Sequence, residues 1–355
     1  MKIKPTEQMK NINAFFKDIK FYYVGGCVRD LINNTEPHDY DLITPLTPEQ
    51  IEQYCKGKAK VLRTGKRFGT IAVMIGGQLT EITTYRKEIY DFQSRKPVVS
   101  YTTHLQTDLS RRDFTINTLV CNPNGVVLDY LNGIEDFNNR KLKCVNIPKI
   151  TFKEDPLRIL RAIRFAGKYD LEIDDKLKIK IKHLKFELYR LSKERIIEEI
   201  NKMFVLNQTQ LNRCMLLMFE CDLWIPIIPE LQLQYNYNQN SKYHGFKLHE
   251  HTLNVLFDTR ADTNNTDMLW SALLHDIGKP FVRTTHKSGE YCNYIDHDIV
   301  GCEIAHTFLV KYKFPNKSIT FITKTISEHL KDECWLRKYD DMRKVYKEPA
   351  QECNL

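Results

Sequence analysis

VGGCVRD at residues 24–30, followed by HDYDL at 38–42, decides how this chain is read. FYYV (21–24) is a short apolar run and reads as a buried strand. Gly25-Gly26 then turns the chain into a short helix. DYDLIT (39–44) reads as a second strand. Asp39 and Asp41 are two apart on it, so both side chains leave the same face. Two ionised carboxylates side by side repel each other. A divalent cation removes that penalty, and hard oxygen donors suit magnesium. Glycines let backbone N–H groups approach a phosphate, and a helix start adds positive potential. No G-x-G-x-x-G and no G-K-[ST] is present here, which excludes the dinucleotide fingerprint and the Walker loop. A phosphate cradle followed by an acid pair describes phosphoryl or nucleotidyl transfer.

Outward from this stretch, residues 1–148 read as an α+β head, a mixed sheet with flanking helices. TPEQIEQYC (47–55) reads as a helix, and TIAVMI (70–75) and LTEITTY (79–85) as a hairpin joined at Gly76-Gly77. Glu81, on that second strand, is placed to complete the acid set. From about residue 150 the period becomes helical, with Leu157, Leu160 and Ile163 on one face. Polar stretches at 207–210 and 234–242 read as connections. We divide the remainder into an all-α middle, 149–235, and an all-α, histidine-rich tail, 236–355. Eight of the 11 histidines lie between 244 and 329.

Composition narrows the function classes. With 42% apolar and 28% charged residues the chain is too apolar for a disordered protein. No apolar run approaches the roughly 20 residues of a membrane span, and the N-terminus lacks a secretory core. Ten cysteines without a C-x-x-C pair read as reduced thiols, mostly buried, in a cytoplasmic protein. The net charge is +8, and residues 140–213 alone hold 19 Lys/Arg against 10 Asp/Glu. That local field suits a phosphate-rich partner.

V-G-G-C-V-R-D with H-D-Y-D-L resembles the head of class II tRNA nucleotidyltransferases (CCA-adding enzymes) and their bacterial poly(A) polymerase relatives. These belong to the DNA polymerase beta-like nucleotidyltransferase superfamily. The resemblance implies catalysis at Asp39, Asp41 and Glu81 with Mg2+ on Asp39 and Asp41. Gly25, Gly26, Arg29 and Arg112 would hold triphosphate and sugar, with Asp113 near the ribose. Arg112 and Asp113 come from RRDFTINT (111–118), which resembles the family's second motif. Residues 84–102 resemble its flexible loop, used in switching from C to A addition, with Arg86 of interest.

FKEDPLRILRAIRFAGKY (152–169) is the most specific stretch. Asp155-Pro156 reads as an N-cap and first helical position, followed by a basic strip of Arg158, Arg161 and Arg164. The family's E-D-x-x-R reads the incoming base, so Asp155 and Arg158 imply a protein template, with Arg161 and Arg164 contacting nucleotide. SKERIIEEINKM (192–203) resembles the E-R-x-x-x-E motif, although Arg195 and Glu199 at i,i+4 are explained by a helix salt bridge.

LHEHTLNVL, SALLHDIGKP and YIDHDIVGCEIA resemble the HD phosphohydrolase domain. The resemblance implies His251, His275, Asp276 and His297 as ligands of a divalent metal (Mg, Mn or Ni). The family's last aspartate ligand has no clear match; Asp332, Asp340 and Asp341 are the candidates. The expected activity is addition of C, C and A to tRNA from CTP and ATP, with no membrane and no obligate protein partner. The alternatives are a poly(A) polymerase of the same family and an HD phosphohydrolase with an RNA-binding head.

Overall fold

Seven short strands build the head, in the order β3-β4-β5-β2-β1-β8-β9. They are β1 (Tyr22–Val24), β2 (Tyr40–Thr44), β3 (Val61–Leu62), β4 (Thr70–Ile75), β5 (Gln78–Thr84), β8 (Val120–Cys121) and β9 (Val127–Leu128). A separate hairpin joins β6 (Arg86–Ile89) to β7 (Val98–Tyr101). The computed structural model describes residues 1–33, 35–89, 98–241 and 245–339. Residues 90–97 of the loop considered above, and Asp340 and Asp341, lie outside them.

The sheet is mixed: β2 and β5 are parallel, and every other pairing is antiparallel. One face buries Tyr23, Leu42, Ile71, Val73 and Ile82 against Met9, Ile12 and Phe16 of the first helix, Glu7–Phe15, and its end. Burying each such side chain contributes about 1.5–3 kcal/mol. Because side chains alternate along a strand, this apolar set fixes which residues of β2 and β5 point the other way. Asp41 and Glu81 are among those, and both are water-exposed.

The chain forms two compact units. One holds Met1–Asp155 with Glu172–Asp174; the other holds Pro156–Leu171 and the chain from Asp175 onward. In the second unit the helical middle and the histidine-rich tail share a core. Trp270, fully buried, packs its ring 5.1 Å from that of Phe204 and 5.5 Å from that of Phe314.

Asp155 departs from its expected place. It closes a helix, Pro148–Glu154, with an extended backbone (φ −137°, ψ 102°), and Pro156 stands as the N-cap of Leu157–Lys168. A residue before proline is pushed out of the helical region, so Asp155 stands between the two helices, one residue ahead of the N-cap position. The basic strip also differs. Arg158 is buried, and Arg164 donates to buried Glu199 at 2.6 Å, joining two helices. Steps of three residues advance about 300° around a helix, so the three arginines spread over its surface.

Asp108 organises the head's arginines and has no counterpart in the sequence reading. It is fully buried on the helix Leu105–Ser110. Its Oδ1 accepts from Arg111 at 2.7 Å, its Oδ2 lies 3.3 Å from Arg112, and Oδ1 also accepts from the backbone N–H of Arg86. Burial alone would raise its pKa, but Arg112 and Arg111 hold it below the usual carboxylate value. Asp108→Asn leaves both guanidiniums short of a buried partner. We expect a loss of about 3 kcal/mol in urea unfolding at pH 7; a change within experimental error would contradict this role.

Candidate active site and metal centre

The head site grows from two strand registers. Parallel pairing places Asp41 directly against Glu81. Antiparallel pairing of β1 with β2 sets Tyr23 against Leu42, so the next step brings Val24 and the glycine bend beside Asp41. Cys27 tightens this junction, its thiol donating to the carbonyl of Val24 (3.3 Å) and reaching that of Asp41 (3.9 Å). Gly25 has φ +73° and ψ −124°, a conformation that side chains with a Cβ rarely adopt.

Two guanidiniums flank the bend. A Cβ on Gly25 would lie 3.8 Å from Arg112 Nη1, and one on Gly26 3.8 Å from Arg29 Nη2. Asn117 aims both: Arg29 donates to its side-chain oxygen and Arg112 to its carbonyl at 3.4 Å. Asp113 in turn accepts from Asn117 Nδ2 at 2.6 Å and from the N–H of Phe114 at 2.9 Å. Asp113 is therefore buried in a positioning chain, Asp113 to Asn117 to Arg29. Asn117 was missed by the sequence reading, although it stands inside RRDFTINT. Arg86 is held by Glu88, with Nε at 2.8 Å.

Asp39 precedes β2 and is exposed, as is Asp41. Asp41 keeps an open edge but is crowded by protein. Burial first, then the charge of Glu81, push its pKa up to about 6; Asp39 adds to this, and Arg112 and Arg29 oppose it. Oxygen donors of one sign, mutually repelling, fit a hard divalent cation. The described residues gather no three head acids within 4.8 Å; both groups that tight are in the tail.

The tail brings its predicted ligands together. His251 comes from the helix Leu248–Asp262, and His275 and Asp276 follow the helix Thr266–Leu274. His297 opens the helix His297–Lys311. All four are buried. Asp276 Oδ2 lies 3.3 Å from His251 Nε2 and 3.2 Å from His275 Nε2, and its Oδ1 lies 3.2 Å from His297 Nε2. Gly278 allows this approach. A Cβ there would fall 2.1 Å from the carbonyl oxygen of His297 and 2.6 Å from the nitrogen of Gly301.

The ligand sought among the aspartates is instead accompanied by a histidine. Asp332 is excluded: its side chain is 93% exposed, with Arg337 3.9 Å away. His329, at the end of the helix Asn316–Glu328, is fully buried, with Nε2 3.2 Å from that of His297. The signal was present in ISEHLKDECW, where a histidine follows an amphipathic helix. Lys279 was also unforeseen. It is buried, and its ammonium donates to Asp276 Oδ2 at 2.6 Å.

The raised pKa of Asp41 has a definite sign. Its contribution to stability is full below the unfolded value of about 3.9 and is lost as pH rises through about 6. Asp41→Asn mimics the protonated form. In chelator it should exceed the parent by about 1 kcal/mol at pH 8, a figure reduced for water at the open edge, and by little at pH 4. Mg2+ should stabilise the parent at pH 8 and not the variant. Equal unfolding curves at pH 8, or the same gain at pH 4, would contradict this.

Three family models match consecutive parts of the chain. They are the Poly A polymerase head domain at residues 21–143, the probable RNA and SrmB- binding site of polymerase A at 170–234, and the HD domain at 248–352. A CCA-adding enzyme of Lactobacillus helveticus is 40% identical over 183 residues, 51% of this chain and 45% of that protein. The chain thus matches about half the length of such relatives. Among solved structures, the Bacillus stearothermophilus CCA-adding enzyme in complex with CTP aligns with a TM-score of 0.59 at 20% identity, covering 94% of this chain and 82% of the other. A tRNA-processing enzyme in apo form I aligns at 0.65 and 22%, covering 94% and 80%. These two share the fold. The CCA-adding enzyme of Lactococcus lactis subsp. cremoris is 30% identical over 297 residues, 81% of this chain and 69% of that protein. On that match, with the three domains in order, this chain belongs to the CCA-adding enzyme family.

Proposed function

We propose that the protein adds C, C and A to the 3′ end of tRNA, using CTP and ATP and releasing pyrophosphate. The observation that carries the reading is the meeting of Asp41 and Glu81, in register, with a glycine bend flanked by Arg29 and Arg112. The terminal 3′-hydroxyl oxygen bonds to the α-phosphorus. The bond from that phosphorus to the bridging oxygen of the β-phosphate breaks, and the hydroxyl proton is lost. A magnesium ion held by Asp39 and Asp41 would activate the hydroxyl and neutralise charge on the phosphate. The backbone at Gly25 and Gly26 admits the triphosphate closely, and Arg112 meets its oxygens. Arg29, buried, backs the bend and supplies positive potential there.

Base choice falls to Asp155 and Arg158, an acceptor and a donor offered as a protein template, with Arg161 and Arg164 as further nucleotide contacts. Members of this fold have been solved with CTP and with ATP. The basic middle would grip tRNA through its phosphates and A-form shape, in a salt-sensitive manner. Part of that charge is already matched, since Lys178 pairs with Glu220 (2.8 Å) and Lys185 with Asp222 (3.3 Å). We place the protein in the cytoplasm, acting without an obligate protein partner. Its nine described cysteines are free thiols, and no described helix is long and apolar enough to cross a membrane. For the tail we propose a second, metal-dependent hydrolysis of phosphate esters, supported by its buried histidine and aspartate donors.

A labelled tRNA lacking its 3′ end provides the test. CTP alone should add two cytidines, and CTP with ATP should complete three nucleotides. Asp155→Ala should lose discrimination between CTP and ATP as well as rate. Long A-tails from ATP alone would establish the poly(A) polymerase alternative instead.

A further inference from the structure

We propose that the RNA end being lengthened lies on an apolar shelf of the head's open sheet face, with its terminal base against Met74 and Leu79 and a backbone phosphate at Lys60. The proposal rests on the nucleotidyl-transfer reading of the head and specifies where the attacking end sits. Strand register builds the shelf. Ala72 pairs with Glu81, and Met74 with Leu79, so all four side chains leave the face that carries Asp41. Leu62 of the edge strand pairs with Ala72 and extends the same face. Met74 and Leu79 are 40% and 41% exposed, and Leu62 is exposed as well. Toward the other end of these strands the face turns polar, where Thr70 and Thr83 meet hydroxyl to hydroxyl at 3.0 Å. A solvated sheet face ordinarily carries polar side chains. Single exposed apolar residues are common, whereas a contiguous patch beside reactive groups marks a binding surface.

The shelf and the glycine bend flank the same strand. β2 lies between β5 and β1 in the sheet. Tyr40 pairs with Thr80, so Leu79 and Met74 lie toward the start of β2. β1 runs antiparallel to β2, so Gly25, following Val24, lies toward that same end. In-line displacement needs the attacking and leaving oxygens on opposite sides of the phosphorus. With the triphosphate at the bend, the 3′-oxygen therefore reaches Asp41 from the side of β5. The nucleoside that carries this oxygen then rests on the surface next to Glu81, which is Leu79 and Met74. Neighbouring strands stand about 4.8 Å apart, which puts both side chains within the span of one nucleoside from Asp41.

The chemistry of the shelf selects its occupant. Leu and Met offer apolar surface without a hydrogen-bond code, and a thioether packs well against aromatic rings. Any nucleobase is accepted there, which suits a reaction whose terminal base changes from step to step. Lys60 closes the far edge. Its carbonyl accepts from the N–H of Met74 at 3.0 Å, and by alternation its side chain shares the face of Leu62. Arg63 and Lys66 nearby are both tied to Glu52, whereas exposed Lys60 has no acid partner among the described residues. Acids at one edge, an apolar strip, and an ammonium at the other match the end of an RNA strand: hydroxyl, base, phosphate. A protein partner seated here would cover Glu81 and block the reaction.

The test is a binding cycle read without turnover. The probe is tRNA lacking its 3′ end and closed with a 3′-deoxynucleotide, made with and without its terminal base, and bound to the full chain at saturating CTP and Mg2+. Loss of the base should weaken binding to the parent by about fivefold or more, the effect of exposing a small apolar contact. In the chain carrying Met74→Thr and Leu79→Thr the base should matter by less than about twofold, with CTP affinity unchanged as the sign of a folded head. Met74→Leu with Leu79→Ile should restore the penalty. Lys60→Ala should lower the slope of log affinity against log salt by about 0.7–0.9, one phosphate contact; this arm decides the matter if the threonine chain fails to bind CTP. An equal base penalty in the parent and a folded threonine chain, or an unchanged salt slope for Lys60→Ala, overturns the proposal. A base penalty that vanishes with the shelf, in a chain that adds no nucleotide to an unblocked end, would keep the shelf and remove the CCA-adding reading.

Discussion

Asp41 and Glu81 occupy directly opposed positions on neighbouring parallel strands, with Asp39 two residues upstream. Like charges in such a register are unfavourable, and here they also push the Asp41 pKa up to about 6, behind burial itself. A head built for stability alone would not keep them. The apolar face of β2 and β5 fixes the register, because a slip of one residue would turn Leu42 and Ile82 out of the core. Core packing thus holds the acids together against their repulsion. The strain is local, and a bound cation would relieve it, which would tie the sheet to the proposed chemistry.

The cationic side of the head is built by the same means. Arg29, Arg111 and Arg112 would repel one another if left alone. Buried Asp108 ties Arg111 and Arg112, Asn117 accepts from Arg29 and Arg112 through its side-chain and backbone oxygens, and Arg29 and Arg112 flank the bend. The strand leading into Gly25-Gly26 pairs with that of Asp41, and the bend itself is flanked by Arg29 and Arg112. In the tail, Asp276 is the carboxylate shared by both donor groups among the described residues, and Lys279 pairs with it.

Much of this was legible in the sequence. The strand around Tyr23, the strand of Asp41 (which begins one residue after Asp39), and the hairpin at Gly76-Gly77 follow from apolar runs and turn residues, which are local signals. So are the helical period after residue 150 and the order of the tail motifs. What escaped depends on distance in the fold. Asp108 is one acid on a six-residue helix, and nothing nearby shows that it is buried under two arginines. Glu199 was read only with Arg195 on its own helix, and its bond from Arg164 of another helix went unseen. Asp155 was read as a helix cap because the helix before it went unseen. His329 was overlooked because the search there was for an aspartate; its place depends on how Asn316–Glu328 meets His297–Lys311, and no local pattern encodes that contact.

In the proposed reaction the head acids act in bond formation and not in holding the nucleotide. CTP affinity and single-turnover cytidine addition, measured side by side at saturating Mg2+ and pH 8 for the parent and Asp41→Asn, separate the two roles. We expect the variant to bind CTP within about threefold of the parent and to extend a 3′-truncated tRNA at least a thousandfold more slowly. Extension within tenfold of the parent would show that Asp41 has no part in bond formation.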